Sequence, residues 1–281
     1  MYARRTGLFA LGLLAIFLAA VGIGSAVEPA DKEGGGGGHD MEAEAHRTHE
    51  EPANHAPAGL AVSEAGYTLR LERTFFQVTE PGVLRFTITD AASQPVAEFD
   101  RLHERRMHLI VVGRDGTGFR HLHPEMDAEG AWSIPVEFAE PGAYRAFADF
   151  SIMGEQHTLA ADVFVSGGEF EAAPFAAPLP VDRTDGYDVR LHADHVRAGQ
   201  PASLSFAVAK DGKPVANLAP YLGAKGHLVA LREGDLAYLH VHPRGHSFAA
   251  TFPTAGRYRL YLQFKHGGAV HTAEFTVEVP R

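Results

Sequence analysis

An internal duplication constrains the fold of this chain more than any other feature, because it sets two copies of one pattern end to end. The copies cover nearly all of residues 66–165 and 186–279. Between Pro95 and His123, matched positions recur 119 residues later in the chain. A chain of 281 residues has room for two domains of ordinary size. The duplication therefore predicts two tandem domains that share one fold.

Each copy consists of short segments with strand-like alternation, separated by Gly, Pro, Asp and Glu. In the first copy the predicted strands are Tyr67–Leu71, Val83–Ile88, Met107–Val112, Phe119–His123, Trp132–Phe138, Tyr144–Phe150 and His157–Val165. About seven strands in roughly 100 residues, with no amphipathic helix of useful length, are typical of a β-sandwich. Tyr144 and Tyr258 each follow a turn glycine by two residues, as in the tyrosine corner of immunoglobulin (Ig)-like sandwiches. We therefore predict an all-β protein of two tandem Ig-like β-sandwiches, residues 63–168 and 185–281, joined by a Pro/Ala-rich linker at 169–184.

The N-terminal region predicts export from the cytoplasm. Two arginines precede an uncharged run over residues 7–27, which fits either a cleaved signal peptide or a retained transmembrane anchor, so residues 1–27 are assigned to this segment. Both alternatives place the remaining chain outside the cytoplasm, tethered to the cell membrane or secreted. Residues 28–62 are rich in glycine, acids and histidine, a composition typical of a disordered linker.

Charge and cysteine content exclude several classes of function. The net charge is −10, and no basic cluster suggests a nucleic-acid partner. The chain has no cysteine, which excludes disulfides, blue-copper centres, zinc fingers and iron–sulfur clusters. No nucleophile can be paired with a base, so we do not expect an enzyme. Any metal would be held by histidine, carboxylate, methionine or backbone oxygen.

Histidines are prominent among the duplicated residues. In both copies a lone histidine is followed thirteen residues later by a His-x-His pair; the two sets are His108, His121 and His123, and His227, His240 and His242. An Asp-Gly turn at residues 115–116 predicts a hairpin in which the numbers of paired residues sum to 231. His108 would then face His123, and Ile110 would face His121. The same register in the second copy predicts a pair of His227 with His242.

This arrangement is chemically suited to a transition metal. The two histidines of a His-x-His strand point to the same face, and a third imidazole across the hairpin completes a set that zinc and copper sites use. Met107 and Met153 would suit Cu(I), so copper is favoured over zinc. Asp149 is a further candidate ligand, although its counterpart in the second copy is Gln263. Weaker candidate metal ligands are His157 and His271 on the last strand of each copy, and His39, His46, His49 and His55 in the linker.

Two other interpretations of the histidines stay open. Buried imidazoles also satisfy one another or the backbone without any ligand, which would make the chain an Ig-like interaction or scaffold module of the cell envelope, binding a protein partner. Closely paired imidazoles are also suited to sensing pH.

The motifs His121-Leu-His-Pro124 and His240-Val-His-Pro243, each preceded by a lone histidine and an apolar strand, resemble those of uncharacterised, exported bacterial proteins. The resemblance covers most of residues 60–280. It implies paired Ig-like β-sandwiches behind an N-terminal hydrophobic segment, and it implies no activity. A looser similarity to copper-resistance CopC-like domains and to YtkA-like or FixH-like domains is one of fold.

Overall fold

The structure, a computed structural model, describes residues 57–239, 241–244 and 247–281, with only the backbone described at His242 and Arg244. The predicted hydrophobic segment 1–27 and most of the linker 28–62, with its four histidines, lie outside these residues. Within the described ranges, no helix is both long and apolar enough to cross a membrane.

Residues 63–166 form two five-stranded sheets packed face to face. The strands are β1 (Ser63–Glu64), β2 (Tyr67–Leu71), β3 (Phe75–Gln77), β4 (Gly82–Thr89), β5 (His108–Gly113), β6 (Arg120–Leu122), β7 (Glu125–Met126), β8 (Ala131–Val136), β9 (Gly142–Ile152) and β10 (Glu155–Ser166). One sheet has the order β1-β2-β4-β8-β7, and the other has the order β3-β10-β9-β5-β6. Pairing is antiparallel except between β3 and β10.

Residues 181–279 repeat this design. The strands are β11 (Val181–Thr184), β12 (Tyr187–Asp194), β13 (Pro201–Lys210), β14 (Lys213–Pro214), β15 (His227–Arg232), β16 (Tyr238–Leu239), β17 (His242–Arg244), β18 (Ser247–Thr251), β19 (Gly256–His266) and β20 (Ala269–Val279). One sheet runs β11-β12-β13-β18-β17, with β14 paired to β13, and the other runs β16-β15-β19-β20.

Each pair of sheets encloses an apolar core of its own. Phe86, Trp132 and Phe150 lie in the first core, and Phe264 and Phe275 lie in the second. Burial of such aromatic side chains stabilises a domain that has no disulfide. The predicted architecture of two tandem Ig-like β-sandwiches is thereby confirmed.

The tyrosine corner predicted for each copy is also present. The hydroxyl of Tyr144 donates to the carbonyl oxygen of Glu140 at 2.9 Å, and that of Tyr258 donates to the carbonyl oxygen of Thr254 at 3.0 Å. In both sandwiches the bond spans four residues and fixes the turn that leads into a long central strand, β9 or β19.

A third apolar cluster joins the two sandwiches. Ile110 and Phe147 of the first sandwich pack in it with Val229, Leu231 and Tyr261 of the second, and each is at most 5% exposed. The ring of Tyr261 stacks on that of Phe119 with centroids 4.0 Å apart, and its hydroxyl donates to the carbonyl oxygen of Gly116 at 2.6 Å. The sheets that carry β5 and β15 therefore face each other across a packed, specific interface.

The chain segment before β1 is part of this interface. The N–H of Tyr238 donates to the carbonyl oxygen of Ala58 at 2.8 Å, and the N–H of Gly59 donates to that of Thr158 at 3.0 Å. Gly59 has a φ of +71°, and a Cβ atom at this position would lie 2.7 Å from the ring of Phe147. Both the backbone conformation and the close approach require glycine here.

The predicted hairpin register is confirmed where the strands pair, but the hairpins are shorter than expected. Ile110 pairs with His121, and in the second copy Ala230 pairs with Leu239. Both pairs agree with the register predicted from the turn of each hairpin. The chain then crosses to the opposite sheet, so that β7 pairs with β8 and β17 pairs with β18. His242 consequently pairs with Ala249, and the predicted direct pairing of His227 with His242 is wrong. The following proline, which has no N–H to give to a longer hairpin, accompanies each crossing.

Candidate metal centre

Five imidazoles gather where the two sandwiches meet. His108 begins β5, His121 lies in β6 and His123 follows it, while His103 comes from the loop before β5. The fifth, His227, begins β15 of the second sandwich, and its ring centroid lies 4.8 Å from that of His103. The strand register and the docking of the sandwiches together build one cluster from both copies.

Three of these rings form a compact triad. The Nδ1 atom of His108 lies 2.8 Å from the Nε2 atom of His121, and one ligand nitrogen from each of His108, His121 and His123 lies within 4.8 Å of the others. The ring centroids are separated by 5.1 Å, 5.1 Å and 4.7 Å. Bonds of about 2.0–2.1 Å to a tetrahedral ion place ligand nitrogens roughly 3.3 Å apart and their ring centroids about 5 Å apart. The ring centroids of the triad already have the spacing of rings that share an ion.

Hydrogen bonds on the outer side of the triad select the tautomers. The Nε2–H of His108 donates to the carbonyl oxygen of Leu102 at 2.9 Å, which leaves the lone pair of a neutral ring on Nδ1. The Nδ1 atom of His121 lies 2.7 Å from the Oε1 atom of Gln263, so with the amide in this orientation the N–H donates and the lone pair of His121 is on Nε2. The Nε2 atom of His121 and the Nδ1 atom of His108 lie 2.8 Å apart, a hydrogen-bond distance whose donor depends on the tautomers of the two rings. Metal-bound histidines are held by outer hydrogen bonds of this type.

Burial keeps the imidazoles of His121, His123 and His227 neutral at physiological pH. Desolvation, followed by the charges of His108 and His123, holds the pKa of His121 well below its ordinary value. Burial likewise lowers the pKa of His123 to about 4, and that of His227 to about 4. Only the neutral ring offers a lone pair to a metal, so the environment prepares the nitrogens as ligands without prior loss of a proton.

One polar atom of the triad residues is left without a hydrogen bond. Among the described residues, the Nε2 atom of His123 is buried and has no hydrogen-bond partner. Buried polar atoms are nearly always satisfied, and an unsatisfied one calls for an explanation such as an ion.

A small polar cavity adjoins the triad. Its volume is about 30 Å³, enough for a water molecule or an ion, and its lining includes His103, His108, His121, Asp149 and His227. Asp149 pairs with His108 in the β5–β9 register and is only 5% exposed. Its carboxylate accepts hydrogen bonds from Gln156 Nε2 at 3.2 Å and Thr158 Oγ1 at 3.3 Å. A buried carboxylate beside the imidazoles favours the presence of a cation.

The structure brings together some of the residues predicted from sequence and separates others. His108, His121 and His123 form the triad, and His227 lies in the same cluster. The backbone of His242 lies in β17 of the opposite sheet, and His240 lies outside the described residues.

The remaining candidate ligands lie in other surroundings. His157 packs on the rings of Tyr67 and Phe150, and the Nδ1 atom of His271 lies 2.8 Å from a carboxylate oxygen of Asp185. The methionines expected to favour Cu(I) do not support that preference: Met107 is buried in the first core, and Met153 is 91% exposed at the turn between β9 and β10.

Sequence reasoning missed two contributors to this site. His103 lies in a loop without strand periodicity, where its φ is +47°. Nothing in the sequence pattern pointed to this residue. Gln263 was named only as the counterpart that weakens the case for Asp149 as a ligand, yet it reaches across the interface to His121. Comparing the copies position by position treats each as a separate unit and overlooks contacts between them.

Comparison with known families places the duplication in context. The profile of a domain of unknown function, DUF8832, matches the chain twice, at residues 61–167 and 182–281. The chain belongs to the DUF8832 family. It carries two copies of this domain, and the family description assigns no activity to them. No curated protein sequence matches the chain.

Solved structures that resemble the chain include an alpha-2-macroglobulin, an adhesin and a tandem Ig-repeat protein. Salmonella alpha-2-macroglobulin reacted with methylamine is 13% identical with a TM-score of 0.29, and the match covers 80% of this chain but 15% of that one. FdeC, an Escherichia coli adhesin, is 15% identical with a TM-score of 0.28, covering 78% of this chain and 65% of the adhesin. The tandem Ig repeats of Dlar are 6% identical with a TM-score of 0.22, and the match covers 76% of this chain and 98% of that one. The fold is defined by the strand order and the packing of the two sandwiches.

Proposed function

We propose that this protein is a tandem Ig-like binding module of the cell envelope that binds one transition-metal ion at the histidine cluster between its sandwiches. The observation that carries the proposal is the pair of facing imidazole nitrogens of His108 and His121, 2.8 Å apart, whose opposite nitrogens donate to oxygen atoms. The third nitrogen comes from His123, whose Nε2 atom is buried and unsatisfied.

The donor set indicates which ions would bind. Neutral imidazoles suit Zn(II) and Cu(II), whereas no thiolate is available for softer ions. With both methionines away from the triad, the donor atoms do not discriminate copper from zinc. Three protein nitrogens leave room for a further ligand on the ion, as in sites that exchange or transfer a ligand.

The proposed location follows from the sequence. The uncharged run over residues 7–27 would deliver the domains across the membrane and, if retained, anchor them there. The histidines and carboxylates of the linker would then bind metal weakly close to the domains.

A second candidate function is an interaction or scaffold module with structural histidines. It is favoured by the Ig-like architecture and by a second arrangement of hydrogen bonds that satisfies the ring nitrogens of His108 and His121. If the Gln263 amide is turned over, its N–H donates to His121 Nδ1, and His121 Nε2–H donates to His108 Nδ1. The chain of hydrogen bonds from Gln263 to Leu102 is then closed without any ion.

A metal titration of the whole chain separates the two candidates. Zn(II) and Cu(II) would be titrated calorimetrically against the wild-type protein, His121→Ala and the matched control His157→Ala, whose ring packs outside the cluster. A competing chelator removes the weak binding of exposed histidines. The metal-binding function predicts one tight equivalent that His121→Ala abolishes and His157→Ala retains. Binding weaker than about 10 μM, or equal binding by all three proteins, would support the structural role instead.

A further inference from the structure

His227 approaches the triad from the second sandwich. Its ring centroid lies 6.2 Å from that of His121 and 6.4 Å from that of His108. Rings that share a tetrahedral ion have centroids about 5 Å apart, so the ring of His227 lies more than about 1 Å beyond that separation, and His227 is not one of the three histidines whose ligand atoms lie within 4.8 Å of one another. Coordination by His227 would therefore require its ring to move towards the triad.

His227 makes the same kind of hydrogen bond as His108. Its Nε2–H donates to the carbonyl oxygen of Leu222 at 3.1 Å, which leaves the lone pair of the neutral ring on Nδ1. His108 is held in the same manner, with its Nε2–H on the carbonyl oxygen of Leu102. Equivalent strands of the two sandwiches thus present equivalent histidines, each with its Nε2 atom bonded to a backbone carbonyl oxygen.

Docking of the sandwiches fixes the strand that carries His227. Val229 and Leu231, on the same face of β15 as His227, are buried against the first sandwich in the third apolar cluster. Gln263 lies opposite His227 in the β15–β19 register and accepts the hydrogen bond from His121. The second sandwich therefore contributes two neighbouring side chains to the surroundings of the triad.

We propose that His227 is the fourth protein ligand, so that one ion bridges the two sandwiches, in place of one ion bound by each copy. This inference rests on the proposed metal-binding function. It explains why the duplication retains the lone histidine in both copies. The bound ion would hold the sandwiches together by joining β5 to β15.

The decisive variant is His227→Gln. A glutamine amide retains the N–H that donates to Leu222 but has no atom equivalent to Nδ1, so the local fold is preserved while the ligand is removed. His227→Ala provides a second variant, and His271→Ala, whose ring contacts Asp185 outside the cluster, is the matched control. The full-length proteins would be titrated with Zn(II) under chelator competition, and with Co(II) to record the absorption of the bound ion.

If one ion bridges the sandwiches, the wild-type protein should bind one equivalent of Zn(II) tightly. We expect His227→Gln to retain that equivalent with an affinity at least about tenfold weaker and a changed Co(II) spectrum, because even outer-shell changes cost 10- to 100-fold. His271→Ala should match the wild type. The bridge is refuted if His227→Gln binds like the wild type, or if it removes one of two independent equivalents and leaves the other unchanged. Absence of tight binding in the wild type would refute the metal-binding function itself.

Discussion

Acidification should destabilise the metal-free protein well above the pH at which carboxylates titrate. His123 and His227 have a folded-state pKa of about 4, lowered first by burial, against about 6.5 in an unfolded chain. Between these values the unfolded state binds more protons, so stability is fully present above pH 6.5 and is lost as the pH falls towards 4.

The size of this effect follows from the same values. For a fully shielded imidazole the loss between pH 7.5 and pH 5 is about 2 kcal/mol. Both rings are partly open to solvent, so we expect about 3 kcal/mol for the pair after a discount for screening. This is a large fraction of the roughly 5–15 kcal/mol that stabilises a typical domain. The lowered pKa of His121 acts in the same direction.

Urea unfolding at pH 7.5 and pH 5, with a chelator present, measures this loss. The double variant with His123→Gln and His227→Gln lacks the two titrating rings and should lose markedly less stability over the same interval. The reasoning is refuted if the unfolding free energy of the wild type is constant or rises on acidification, or if the double variant loses as much as the wild type.

Three further substitutions test the surroundings of the site and the interface. Gln263→Leu removes the acceptor for His121 Nδ1–H and should weaken Zn(II) binding by about 10- to 100-fold in a competition titration; an unchanged affinity would exclude a positioning role. Tyr261→Phe removes the hydrogen bond to Gly116 and should lower the unfolding free energy by about 1–2 kcal/mol, whereas no change would show that water replaces it. Gly59→Ala should cost at least about 1–2 kcal/mol in thermal or urea unfolding, because its φ is positive and its Cβ would contact Phe147; wild-type stability would contradict the close packing described.

Much of the fold could be predicted because it depends on local patterns. The alternation of apolar residues defined the strands, and the Asp-Gly turn set the register that pairs Ile110 with His121. The crossing after each hairpin was missed, since the strand pattern continues up to the proline while the chain changes sheets. Local alternation does not specify which sheet a strand will join.

The site could be predicted only in part because it lies between the sandwiches. The duplication identified the triad, but it implied two equivalent sites and gave no reason to place His227 beside His121. One signal was available: Leu109–Val112 is an uninterrupted apolar run in the sequence. A strand that is apolar on both faces is covered on both. Applied to β5, this rule would have indicated that the second sandwich packs against the histidine hairpin.

The central claim, a single metal ion held between the sandwiches, is tested most directly by anomalous diffraction from crystals of the full chain grown with Zn(II). The account predicts one dominant anomalous peak about 2.0–2.2 Å from ring nitrogens of His108, His121, His123 and His227. Crystals that contain zinc but show no peak at the triad would contradict it.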